Sequence, residues 1–128
     1  MHRVSVDYTS LFRALASVTA GKTDVLGSLV DDADAFEPWI DRWKARLAAE
    51  GRAPSVVVSS MNSVNPVYIP RNHLVEEALE AGSAGDLGQF EQLLAAIKDP
   101  FEVRPGFERF ADPAPGSFSR YYQTFCGT

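Results

Sequence analysis

Met61-Asn62-Ser63-Val64-Asn65-Pro66-Val67-Tyr68-Ile69-Pro70-Arg71-Asn72-His73-Leu74-Val75-Glu76-Glu77-Ala78-Leu79 is the stretch on which the reading of the chain turns. From Asn65 to His73 it packs two prolines, two asparagines, an arginine and a histidine. It then runs straight into a helical pattern. Pro70 suits a first helical position, where its missing N–H costs nothing. Leu74, Val75, Ala78 and Leu79 form one apolar face, and Glu76, Glu77 and Glu80 fall to solvent. Asn65 before Pro66 is biased to extended backbone, so a corner precedes the helix.

Downstream, Gly82 to Gly85 reads as a turn. Asp86 and Gln89 form a cap-like pair, and Leu87, Phe90, Leu93, Leu94 and Ile97 recur at three and four. Asp99-Pro100 ends that helix. The short turn makes the two helices an antiparallel hairpin. Beyond Pro100, prolines 105, 113 and 115 alternate with Phe101, Phe107, Phe110 and Phe118. A segment this rich in rings is expected to lie ordered across a surface. The expected division is a helical region over 1–99 and an extended tail over 100–128, ending in the lone Cys126.

Upstream, Asp7 is a natural N-cap for a helix carrying Leu11, Phe12, Leu15 and Val18, stopped at Gly21. Residues 23–32 read as a short helix or a connector. A second helix begins near Asp34, with Glu37 as its capping-box partner and Pro38 in its first turn. Phe36, Ile40, Trp43 and Leu47 make a stripe with Trp39 beside it, and the ordinary reading of such a stripe is a buried face. Val56-Val57-Val58 favours a strand by propensity, but a short helix into Met61 is equally open. The whole reads as all-α: four main helices and a proline-aromatic tail.

The chain has 128 residues, 45% of them hydrophobic and 23% charged, enough for one ordinary domain. A net charge of −5 argues against nucleic-acid or anionic-membrane partners, which need a basic surface. No apolar run approaches the roughly 20 residues of a membrane helix. No secretory signal is legible after Met1. One cysteine fits a reducing, cytoplasmic setting.

Catalytic chemistry is thin. The two histidines, His2 and His73, are far apart, and neither has a nameable triad partner. Two histidines and one cysteine do not make a metal site. Gly82, Gly85 and Gly88 follow a helix rather than a strand, so they are not a phosphate loop. Arg71 is the best phosphate candidate. At a helix N-terminus, however, it is opposed by the dipole, and the reading preferred is a structural one, with a carboxylate or carbonyl partner. Cys126, near the end of the chain, is a candidate redox thiol.

Taken in order, the motifs resemble the C-terminal region of the SelO family. Asn65, Pro66, Tyr68, Arg71 and Asn72 match its Asn-Pro-x-Tyr-x-x-Arg-Asn segment. Asp7-Tyr8-Thr9, the Trp39–Leu47 helix with Arg42, Trp43 and Arg46, the entry from Ala81 to Phe90, and Asp99-Pro100-Phe101 resemble further family segments. Cys126 stands where the family ends in cysteine or selenocysteine. Pro113 to Phe118 and Gly127-Thr128 depart from the family pattern. The resemblance implies a kinase-like protein adenylyltransferase that moves AMP from ATP to Ser, Thr or Tyr hydroxyls, using Mg²⁺ or Mn²⁺. It also implies that the catalytic residues lie in a core upstream of everything here. Catalytic, cofactor and metal residues are therefore expected to be none in this chain, which alone should be inactive and bind no cofactor. Its partners would be that core, in the same or a separate chain, and the protein substrates of the whole enzyme. An autonomous helical interaction module, or a thiol redox element acting through Cys126, are the other readings.

Overall fold

The computed structural model describes residues 6–22, 24–30 and 33–123. It divides into two compact units, Met1–Val67 and Tyr68–Thr128. All regular structure among the described residues is helical.

The first unit begins with α1 (Tyr8–Thr19). Asp7 caps it: its Oδ2 accepts from the Ser10 amide at 2.9 Å and the Ser10 hydroxyl at 2.6 Å. Past the helix, Gly21 takes φ +90, a conformation open to glycine, and the Lys22 amide returns to the Ser17 carbonyl. Leu11, Ala14, Leu15 and Val18 are buried along one stripe. A single 3-10 turn (Asp24–Leu26) leads to α2 (Ala33–Glu50). Because α2 starts at Ala33, Asp34 lies inside the first turn and Pro38 in the second. Pro38 therefore removes an interior amide and leaves the Asp34 carbonyl without its i+4 donor.

The aromatic stripe of α2 is only partly a core face. Ile40 is buried with Leu11 and Leu15, while Phe36 and Trp43 pack at the edge of that cluster beside Val6, Leu26 and Met61. Trp39 stays 39% exposed.

Helix α3 (Pro54–Val64) resolves the valine run as helix. Pro54 sits at its start, and Val57 is the residue it buries. A strand of three residues would have needed a neighbour to pair with, and the described residues contain no strand. The helix ends at Asn65 in extended geometry, φ −104 and ψ 108, as its proline neighbour requires. The Asn65 side chain donates to the Met61 carbonyl at 2.8 Å.

The second unit holds α4 (Asn72–Ser83) and α5 (Gly88–Lys98), packed as the expected hairpin. Gly85, at φ +91, closes α4: its amide bonds the Gly82 carbonyl, and the Asp86 amide bonds the Ala81 carbonyl. This is the Schellman arrangement. Asp86 does not form a capping box with Gln89. Its Oδ1 accepts at 2.8 Å from the amide of Gly88, the first residue of α5. Residues 108–121 form two short helices, α6 (Glu108–Ala111) and α7 (Gly116–Tyr121). Phe110 is buried, Phe107 leans on Tyr68, and Phe118 meets His73 edge-on.

Candidate functional site

The motif from Asn65 to Asn72 spans the boundary between the units. Its first part serves the first unit. Arg13, on α1, donates through Nη1 to the carbonyls of Asn62 and Asn65, each at 3.2 Å. Those are the last carbonyls of α3, which a helix leaves unsatisfied. The guanidinium also complements the negative end of the helix dipole. Burial lowers the Arg13 pKa from its ordinary value. Pro66 adjoins Asn65 at a shallow cleft with Tyr8, Thr9 and Phe12.

The second part builds the interior of the second unit. Tyr68 is 2% exposed. Its hydroxyl accepts from the Arg104 amide at 2.8 Å, and its own amide donates to the Pro100 carbonyl at 3.2 Å. Arg71 is buried, and its Nη2 donates to the Ala111 carbonyl at 2.9 Å. Of the two kinds of partner expected for this arginine, carboxylate or carbonyl, Nη2 meets a carbonyl, at the end of α6. Asn72 is exposed as the first residue of α4.

Arg104 was not singled out by the sequence, yet it does more than any residue of the motif. Its guanidinium lies 4.2 Å from the Phe107 ring centre and 5.3 Å from that of Tyr68. Its Nη2 donates to the carbonyls of Ala95, Ala96 and Asp99 at 2.9, 3.0 and 3.3 Å. Those groups close α5. The available signal was a cation shortly after a helix end and between phenylalanines. Arg13, Arg71 and Arg104 therefore each close a different helix C-terminus from elsewhere in their own unit.

His73 sits in an open cavity of about 570 Å³ with Glu76, Glu77, Leu79, Glu80, Ser83, Pro115 and Phe118. Its Nδ1 is buried with no hydrogen-bond partner. Burial depresses its pKa below the usual histidine range; Glu77 opposes the shift, and Arg71 and Arg109 add to it. A neutral imidazole beside carboxylates could serve as a base, but nothing there is poised to be attacked or deprotonated. The Ser83 hydroxyl donates back to the Leu79 and Glu80 carbonyls at 3.0 and 2.9 Å. Glu77 is paired with Arg109, and Glu76 accepts from the Tyr122 hydroxyl at 3.0 Å. The cluster therefore holds α6 and α7 to α4.

No group of three or more His, Cys, Asp or Glu among the described residues could hold a metal ion. Nor does any described helix have the length and apolarity to cross a membrane. Cys126, the candidate redox thiol, lies outside the described residues.

No family model matches the chain. It is 50% identical over 123 residues to the protein nucleotidyltransferase YdiU of Mycobacterium sp. strain KMS, covering 96% of this chain and 24% of that protein. It is 44% identical over 128 residues to the protein of the same name from Sphingopyxis alaskensis, covering 100% of this chain and 26% of that relative. The YdiU of Chromobacterium violaceum matches at 44% over 124 residues, 96% of this chain and 26% of that relative. The chain thus spans about a quarter of the length of the relatives it matches.

Proposed function

The chain corresponds to the C-terminal region of a SelO/YdiU-type protein, and on that premise we propose that it is the helical structural and regulatory part of a protein adenylyltransferase. The enzyme would move AMP from ATP to Ser, Thr or Tyr hydroxyls of proteins. A kinase-like core, in the same or a separate chain, would supply ATP, Mg²⁺ or Mn²⁺ and every reacting group. The observation that carries this reading is the identity, 42 to 50%, to proteins named nucleotidyltransferases of which this chain spans only a quarter.

The residues described here do not fit a nucleotide–metal site. Nη2 of Arg71 and Nη2 of Arg104 are each engaged by backbone carbonyls, and there is no carboxylate cluster for a metal among the described residues. Phosphoryl and nucleotidyl transfer depend on such parts for transition-state stabilisation. No chemical step is therefore assigned to this chain. Its role in the proposal is to present a folded helical surface to the core. A cytoplasmic setting goes with the proposal and agrees with the single cysteine.

The test is transfer of labelled AMP from ATP to protein, with Mg²⁺ or Mn²⁺. The 128-residue chain alone is expected to transfer none. A full-length SelO-type protein carrying these residues in place of its own matching segment is expected to be active, and deletion of the segment to reduce that activity. Label transfer by the chain alone would sink the proposal, as would an unchanged rate on deletion.

A further inference from the structure

The chain has two tryptophans, and both lie on α2. Their rings belong to a ladder. Phe36 and Trp39 stack with centres 5.1 Å apart at 20°, and Trp39 and Trp43 at 6.3 Å and 8°. Ile40 turns the helix toward Leu11 and Leu15, which leaves Trp39 on the flank, 39% exposed. Arg42 and Arg46 follow Trp39 at three and seven residues and share its flank. Both are exposed. Arg46 pairs with Glu50 one turn on, at 3.3 Å, with its side chain still 79% exposed. An isolated, largely exposed pair of this kind contributes little.

This is an uneconomical surface for a helix to show water. Tryptophan and arginine are the residue types most concentrated at the energetic centres of protein interfaces. Stacking also holds the Trp39 ring in place, so less side-chain freedom is lost when a partner covers it. About three quarters of a full-length relative lies beyond the matched region. If tethered in one polypeptide, even a weak contact is favoured by effective concentration.

We propose that the Trp39–Arg42–Trp43–Arg46 flank of α2 is the docking surface for the remaining three quarters of the SelO-type polypeptide. The segment seated there is acidic: an apolar or aromatic anchor covers Trp39, and carboxylates meet Arg42 and Arg46. This assignment rests on the function proposed above, and it names the surface through which that function would be exerted.

The test uses 5-fluorotryptophan and ¹⁹F NMR, with the two signals assigned by Trp39→Phe and Trp43→Phe. It compares the 128-residue chain with a full-length SelO-type protein that carries these residues as its matching segment. In the isolated chain the Trp39 signal is expected to show a solvent isotope shift. In the full-length protein it is expected to lose that shift, and Arg42→Glu with Arg46→Glu to bring it back. The same double variant in the isolated chain controls for folding and is expected to leave its circular dichroism unchanged and to lower its melting temperature only slightly, through the lost Arg46–Glu50 pair. Should the reversal unfold the chain, Arg42→Gln with Arg46→Gln is used instead, with a smaller return of the shift expected. A Trp39 signal equally exposed in both proteins would overturn the proposal. So would a signal that is covered but indifferent to both charge variants, or one that becomes covered in the isolated chain as its own concentration rises, which would make a second copy the occupant. AMP transfer by the full-length protein is measured in parallel. An active protein with Trp39 exposed rejects the surface and keeps the function; an inactive one with Trp39 covered does the reverse.

Discussion

The two units reach stability by different means. In Met1–Val67 the centre is aliphatic: Leu11 and Leu15 from α1 meet Ile40 from α2, with aromatic and methionine side chains at the edge. In Tyr68–Thr128 the α4–α5 hairpin buries Leu74, Ala78, Leu93 and Ala96, but the tail is held by polar and aromatic contacts. Tyr68, Arg71 and Arg104 tie residues 100–111 to the rest of the unit. The difference teaches how a segment rich in proline becomes ordered. Residues 100–123 contribute one buried large apolar side chain, Phe110. Hydrogen bonds to fixed backbone groups and stacked rings supply what a larger apolar core would have supplied.

This contrast can be broken by experiment. The largest effect is expected from Leu15→Ala, which opens a cavity at a position 1% exposed and should cost about 3 kcal/mol. Hydrogen exchange should show the loss in α1 and α3 first; equal loss of protection in α4 and α5 would mean that the units do not differ as described. Arg104→Ala comes next, at about 2 kcal/mol, from three carbonyl contacts and two ring contacts. Urea unfolding should register it, with early exchange at the end of α5. Arg104→Lys should recover only part, since an ammonium cannot lie flat between the rings.

Arg71→Lys is expected to cost about 1 kcal/mol, because a single ammonium replaces a planar donor that reaches Ala111. A Tm unchanged by that substitution would remove Arg71 from the set of tail anchors. The smallest effect is the pH dependence through His73. Its folded pKa is depressed by burial, so the folded state prefers the neutral ring. The contribution to stability is therefore complete above the free histidine value of about 6.5 and is lost as pH falls from there toward the folded value. Urea midpoints measured across that window should decline with acid, and His73→Phe should flatten the decline. A slope untouched by the substitution would assign the effect to another group.

Helices α1 and α4 are legible because local signals mark their ends: Asp7, Gly21 and Gly85 each punctuate the chain where the folded backbone needs them. Helix α3 is not, since its valine run suits a strand equally well. Legibility failed where a residue answered to a distant partner. The Asp34–Glu37 pattern places Pro38 in a first turn, whereas α2 begins earlier, at Ala33. Asp86 was given to Gln89 and instead serves Gly88. Trp39 falls beside the stripe in the sequence pattern, but how much of its ring stays exposed depends on how the helix turns Ile40 toward Leu11 and Leu15. Within the motif, a backbone or carboxylate partner for Arg71 is an expectation the helix dipole alone supplies, and Nη2 bonds the Ala111 carbonyl. The role of Arg104 is not legible, because its acceptors are backbone oxygens five to nine residues earlier, and any sequence displays those.

Backbone acceptors bear on how such a protein can change over generations. The bonds by which Arg13, Arg71 and Arg104 close these helices are accepted by backbone carbonyls. The acceptor positions Asn62, Ala95, Ala96, Asp99 and Ala111 can be exchanged for other residues that preserve the backbone path, and the bond survives. A saturation scan should therefore be lopsided, permissive at the acceptors and restrictive at the donors. Pairwise covariation, which detects matched substitutions, would pass over three of the contacts that close these helices.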